Sequence, residues 1–241
     1  MILANLRERI SATDVELVIQ LLSRGDAAHR GDLLRVAAEH GIDSLLDAPE
    51  LPELLRTARS LGQPTAALFI YVTVRHALRA SGVDDRRLCD YLGALVFEFG
   101  LRDRGHRISG VDDEQYRYLA DLVADIAAAP GRRGFLLRAH LGNFSLWMAG
   151  VFPDHITARE ERRGGPGLRY YEELGMRGFR LAASHRMAEQ LGLAGLYSRA
   201  AESFSAIRVA LNRLSDRLLF PHVNTPGRLL RQVTDEFRLQ S

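Results

Sequence analysis

Apolar residues recur along most of this chain at spacings of three and four, the period of an α-helix, with almost none of the strict alternation that a half-buried strand needs. Leu88, Leu92, Leu95 and Phe99 form one stripe, for which Asp84 or Asp85 is the expected start. Tyr116, Leu119, Val123 and Ile126 form another, opened by an Asp112/Gln115 capping box and stopped before Pro130-Gly131. Thr13 and Glu16 repeat the capping spacing and predict a helix to about Arg24. Pro64 stands as a first-turn proline for a helix to about Ser81, closed by Gly82. Shorter helices are expected over 32–40 and 52–61, and Gly164-Gly165-Pro166-Gly167 reads as an internal loop.

The longest pattern lies toward the C-terminus. Tyr197, Ala200, Phe204, Ile207, Leu211, Leu214 and Leu218 predict one long helix stopped at Pro221, either a wall of a bundle or a seam between molecules. Upstream, Tyr171, Leu174, Gly178, Leu181, His185 and Ala188 predict another helix. The expected fold is therefore all-α, a multi-helix bundle with a long C-terminal helix in a single domain, residues 1–241. Within it, 1–62 reads as a looser acidic subregion, 63–221 as the main bundle and 226–239 as a short terminal helix.

With 241 residues, 46% hydrophobic and 26% charged, the chain has material for a substantial core. All 32 basic residues are arginine, which closes every mechanism that needs a Schiff-base or phosphate-loop lysine. Charge is unevenly placed. Residues 1–130 hold 15 Arg against 20 acids, net −5, and 131–241 hold 17 against 10, net +7. The overall +2 is far from the footprint of a dedicated nucleic-acid binder. Cys89 is the only cysteine, which excludes intramolecular disulfides and multi-cysteine zinc sites and fits the cytoplasm. The longest apolar run, 66–74, stops at Arg75, well short of the roughly 20 residues of a membrane span, and no secretion signal is read at the N-terminus. No membrane partner is expected.

Candidate chemistry concentrates after residue 137. The segment His140-Leu141-Gly142-Asn143-Phe144-Ser145-Leu146 resembles the His-x-Gly-Asn-aromatic-acid-Leu block of bacterial lauroyl-type lipid acyltransferases. That resemblance implies His140 as a general base oriented by an acid five positions on. Ser145 stands there instead and supplies no charge to support an imidazolium. Leu137, Leu141, Phe144, Met148 and Val151 also keep a helix period through the block, which in that family follows a buried strand of an α/β domain. A second resemblance covers residues 142–152 and 170–175, similar to an uncharacterised bacterial helical family with G-(D/N)-x-S-L-(F/W)-x-x-G-x-F followed by Y-Y-x-x-(L/M)-G. It implies a helical fold and no known activity. Gly142 and Gly150, eight apart on one helix face, permit close approach of a helix or a ligand. Asn143, Ser145, Tyr170 and Tyr171 are the candidate ligand contacts.

Arg-x4-His, the short signature of HEPN-type ribonucleases, occurs at Arg24/His29, Arg35/His40, Arg180/His185 and Arg217/His222, where about one match is expected by chance. Of these, Arg180 and His185 fall within an expected helix and are the candidate catalytic pair. Arg162 and Arg163 are the candidate phosphate contacts of an arginine-rich stretch, 132–186, with 10 Arg and 5 acids. His185 and Glu189 lack further ligands, so no metal is expected, and the absence of dinucleotide, Walker and hydrolase motifs gives no cofactor. The sequence favours a non-enzymatic interaction or regulatory protein, with a protein partner or self-association through the C-terminal helix. The alternative is a binder of RNA or another phosphate-rich ligand, extending to HEPN-like ribonuclease activity; an acyltransferase relative is the third reading.

Overall fold

A computed structural model of the chain describes residues 1–58, 62–101, 119–223 and 225–240. Among the described residues there is no strand, so the all-α expectation holds, and no helix is long and apolar enough to cross a membrane. After a short 3-10 turn, Arg7–Arg9, the N-terminal region forms α1 (Ala12–Ser23), α2 (Ala27–His40), α3 (Asp43–Leu46) and α4 (Leu51–Thr57). The long hairpin α5 (Ala66–Arg79) and α6 (Arg86–Leu101) follows, then α7 (Leu119–Ala128) and α8 (Gly131–Val151). The remainder is α9 (Pro153–Arg163), α10 (Leu168–Ala183), α11 (Arg186–Gln190), α12 (Ala194–Glu202), α13 (Phe204–Leu214), a π-helical turn (Ser215–Leu219) and α14 (Pro226–Gln240).

Local chemistry sets the helix starts. The capping box of α1 is Ser11 with Asp14, not Thr13 with Glu16: Ser11 Oγ accepts from the Asp14 N–H at 3.1 Å while Asp14 accepts from the Ser11 N–H at 2.9 Å. Asp14 wins because it also accepts from the Thr65 N–H at 3.1 Å and hydroxyl at 2.9 Å, so one buried carboxylate ties together the starts of α1 and α5. Thr65, rather than Pro64, begins α5, its hydroxyl oxygen accepting from the Leu68 N–H. Asp85 opens α6 as the stripe implied. The Asp112/Gln115 box lies outside the described residues.

The helix α8 is the axle of the fold. Phe135, Leu137, Leu141, Phe144, Leu146 and Val151 are all buried although they point around the whole circumference, as a helix enclosed on every side requires. Helix α10 crosses it where two glycines meet. A Cβ added to Gly178 would lie 2.6 Å from the Gly142 nitrogen, and one on Gly142 would lie 2.5 Å from the Phe179 ring. Gly150 accepts a different helix, α13, with Leu211 2.8 Å from its missing Cβ.

The expected single helix over 197–218 is broken in two places. At Ser203 (φ −95°, ψ 12°) the chain turns between α12 and α13, and at Ser215 the α-helix widens into the π-helical turn. Both helices cover the same core, so Tyr197, Ala200, Phe204, Ile207 and Leu211 are all buried and the apolar period runs through the break unaltered. What redirects the chain at Ser215 is polar. Asn212 Nδ2 donates to the Ala149 and Gly150 carbonyls, both at 2.7 Å, and Ser215 Oγ donates to the Val151 carbonyl at 2.7 Å. These bonds fasten the end of α13 to the orphan carbonyls at the end of α8. Residues 197–211 of the stripe thus lie in the core, while Leu214 and Leu218 are half-buried.

A buried guanidinium fixes the N-terminal helices to the α5/α6 hairpin. Arg75 Nε donates to Asp47 at 2.9 Å and its Nη2 pairs with Asp84 at 2.5 Å, while Arg86 reaches Asp47 at 2.7 Å. Arg7 extends the cluster through Asp43 at 2.6 Å. Burial works to raise the Asp47 pKa, but the Arg75 hydrogen bond and the charges of Arg75, Arg86 and Arg79 outweigh it and hold the carboxyl below its ordinary value of 3.8.

Two outcomes follow for stability. Ile207→Ala should cost about 2–5 kcal/mol in urea unfolding, and Ile207→Asp should be insoluble or molten at any concentration; a folded Ile207→Asp monomer would contradict the assignment of this stripe to the core. Because folding lowers the Asp47 pKa, its stabilisation is complete above 3.8 and disappears as the pH falls through the lower folded value. Asp47→Asn should therefore destabilise by about 3 kcal/mol at pH 7 by leaving Arg75 short of a partner, with the gap to the parent closing in acid below that range.

Candidate functional site

Residues singled out on α8 by sequence are placed in the interior and serve packing. The His140 ring lies against Phe99 and Phe144, with centroids 5.9 and 6.0 Å away. Ser145 is not brought to it, since five residues along a helix turn a side chain by about 140°. The Ser145 side chain instead faces Gly175, a missing Cβ of which would lie 3.0 Å from Ser145 Cβ, and its fully buried hydroxyl has no hydrogen-bond partner among the described residues. Asn143 accepts a 2.6 Å hydrogen bond from the Tyr91 phenol. Burial holds the Tyr91 phenol well above its ordinary range and pushes Tyr197 up to about 12, so both remain protonated. Cys89 is likewise raised by burial, which keeps it an unreactive thiol.

The remaining sequence candidates scatter. Tyr171 is buried in the apolar cluster under α7 and α8, whereas Tyr170 faces solvent. Arg162 and Arg163 are exposed in the last turn of α9, where positive charge meets the helix carbonyl end. Arg180 and His185 do not share a helix. The expected helix through 171–188 ends at Ala183, and His185 adopts extended backbone (ψ 135°) to cap α11, its Nδ1 accepting from the Met187 N–H at 3.2 Å. Arg180 points outward, and the His185 ring packs on Phe135 at 5.4 Å. Among the described residues no three His, Cys, Asp or Glu side chains gather as metal ligands.

Much of the arginine surplus is structural. Arg208, 2% exposed, is held by Glu172, by Asn212 Oδ1 at 2.7 Å and by Asp235 at 2.6 and 2.9 Å. Arg228 pairs with Asp154 at 2.7 Å and donates to the Phe220 and Val223 carbonyls, both at 2.7 Å. Arg231 pairs with Asp216 at 2.9 Å. Together these bonds clamp α14 onto α9, α13 and the π-helical turn, with Arg208 tying in Glu172 of α10.

That clamp produces an inverted helix. The charged residues Arg228, Arg231 and Asp235 face the body of the protein, and Leu229, Leu230 and Val233 face water at 56%, 70% and 54% exposure. Beside it, a groove of about 360 Å³ opens between α4, α5 and the π-helical turn, with Phe69, Ala77, Leu214 and Leu218 on its floor and Arg56 and Arg217 at its rim. Sequence reasoning missed both. The amphipathic pattern of 228–235 is visible in the chain, but a period cannot say which face turns inward, and the groove joins segments some 150 residues apart with no shared local signal.

No family model matches this chain, and searches of curated proteins and of solved structures likewise find no match. The site has to be argued from its own geometry.

The contrast between Asn143 and Ser145 is measurable. Asn143→Leu strands the Tyr91 hydroxyl in an apolar core and should cost about 1–3 kcal/mol, whereas Ser145→Ala removes an unpaired buried hydroxyl and should leave urea stability unchanged or raised. The opposite order would mean that Asn143 is held free for something other than Tyr91.

Proposed function

We propose that this chain is a non-enzymatic interaction protein that binds a protein partner through the outward face of α14. One observation carries this reading: the helix is built amphipathic and is turned with its apolar side to solvent. Five of the nine large hydrophobic residues exposed among the described residues fall between 219 and 233, namely Leu219, Val223, Leu229, Leu230 and Val233. Such concentration marks an interaction surface, whereas apolar residues scattered singly do not. The candidate catalytic groups point the other way, since Arg180 on α10 is exposed while His185 caps α11, and His140 is packed among aromatic rings. The reading places the protein in the cytoplasm, which its single buried cysteine fits.

Energetics sets the form of the partner. Leu229, Leu230 and Val233 would each contribute roughly 1.5–3 kcal/mol if fully buried, against an association cost of about 4–15 kcal/mol. Three side chains alone do not carry a stable complex. A partner offering an apolar groove to α14, and reaching Leu219 and Val223 beside it, supplies the remainder.

A photo-crosslinking residue at position 230 or 233 should give a discrete adduct in native cells, and one at the exposed Gln190 should not. The adduct mass separates a second copy from a different protein, and Leu230→Glu with Val233→Glu should remove it while far-ultraviolet circular dichroism stays unchanged. No adduct above the Gln190 control would overturn the proposal.

A further inference from the structure

The groove between α4, α5 and the π-helical turn carries an inference independent of α14. Its volume of about 360 Å³ lies within the roughly 300–1,000 Å³ of small-molecule sites. Its floor has no free donor to offer: Thr73 spends its hydroxyl proton on the Phe69 carbonyl at 2.7 Å, and His76 Nε2 is bonded to the Leu46 carbonyl at 3.0 Å. Burial, the largest influence on His76, lowers its pKa and keeps the ring neutral. What remains along the floor is Pro52, Phe69, Ala77, Leu214 and Leu218, a surface for an apolar chain.

Among the described residues, one arginine at the rim has no ion-pair partner. Arg56 is neutralised by two bonds to Glu53, and Arg213 by Glu236 at 2.5 Å together with the Ala80 carbonyl at 3.3 Å. Arg217 is exposed and has no carboxylate partner among the described residues, yet it stands close enough to the mouth to help Arg56 hold Glu53 below the ordinary carboxylate range. It reaches this place because the chain widens into a π-helical turn at Ser215, a distortion that recurs at functional sites. A single guanidinium fork matches a single carboxylate; a phosphate dianion would leave one charge unmet.

We propose that this groove binds a single-chain amphiphile, its apolar tail along α5 and its carboxylate on Arg217. The proposal is binding alone; among the described residues no three His, Cys, Asp or Glu side chains gather there as metal ligands.

The test is titration calorimetry of the full-length protein with decanoate, decanol and decyltrimethylammonium, each below its micelle concentration. Decanoate should bind at one saturable site about ten-fold more tightly than decanol, with decyltrimethylammonium weakest. Arg217→Gln should reduce decanoate to the decanol level while leaving decanol binding intact. Ala77→Trp, which fills the floor, should abolish both; if that variant fails to fold, Ala80→Trp at the exposed end of the same wall replaces it. No saturable decanoate binding, equal affinity for decanoate and decanol in the parent, or decanoate binding unaltered by Arg217→Gln or by a folded filling variant would each overturn the proposal. Failure here leaves the α14 surface standing, because none of the described α14 side chains lines the groove.

Discussion

The backbone of α8 and the backbone of α10 touch, and most of the architecture is arranged around that crossing. Helices separated by ordinary side chains lie 8–10 Å apart, but at Gly142 and Gly178 any Cβ would collide with the other helix or with Phe179. Closing that gap lets Phe179, Phe204 and Tyr197 stack over the crossing, with Phe179 and Tyr197 rings 6.0 Å apart and nearly parallel. The helix α13 then settles into the second notch, at Gly150. An apolar helix buried on all sides has no solvent face to set its rotation, so its orientation comes from where its neighbours can approach.

With lysine absent, arginine carries the interior polar work. The planar guanidinium can serve several carboxylates at fixed angles, which a compact ammonium cannot. Arg75 joins Asp47 and Asp84, and Arg208 joins Glu172, Asn212 and Asp235. Each draws three or more segments to one point. Removing one partner of such a cluster is far more damaging than the net worth of the cluster suggests, because the remaining charge stays buried.

Helix content and core stripes could be read from the chain because the 3.6 period reports burial directly: Leu88, Leu92, Leu95 and Phe99 are buried as their spacing requires. The break at Ser215 could not, because it depends on carbonyls of α8 more than sixty positions away, and nothing in the period marks the turn at Ser203. The glycine spacing was a sound guide to close approach but could not say that Gly142 and Gly150 receive two different helices. Asn143 and Ser145 were conspicuous as polar residues in an apolar stretch, and Tyr91, the group that occupies Asn143, lies 52 positions upstream. The inward or outward sense of α14 turns on Asp154, Asp216 and Arg208, none of which is in its own segment.

The inverted placement of α14 gives its attachment a thermodynamic character unlike that of the core. Hydrophobic burial carries a large heat-capacity change, whereas contact through ion pairs buries little apolar surface and carries little. Detaching α14 would expose a charged bed of Asp154, Asp216, Glu172 and Arg208 rather than a greasy one. The desolvation penalty of ion pairs shrinks with heating while hydrophobic stabilisation levels off. The body and its last helix therefore answer differently to heating, and the pairs that hold α14, being buried, are screened little by salt.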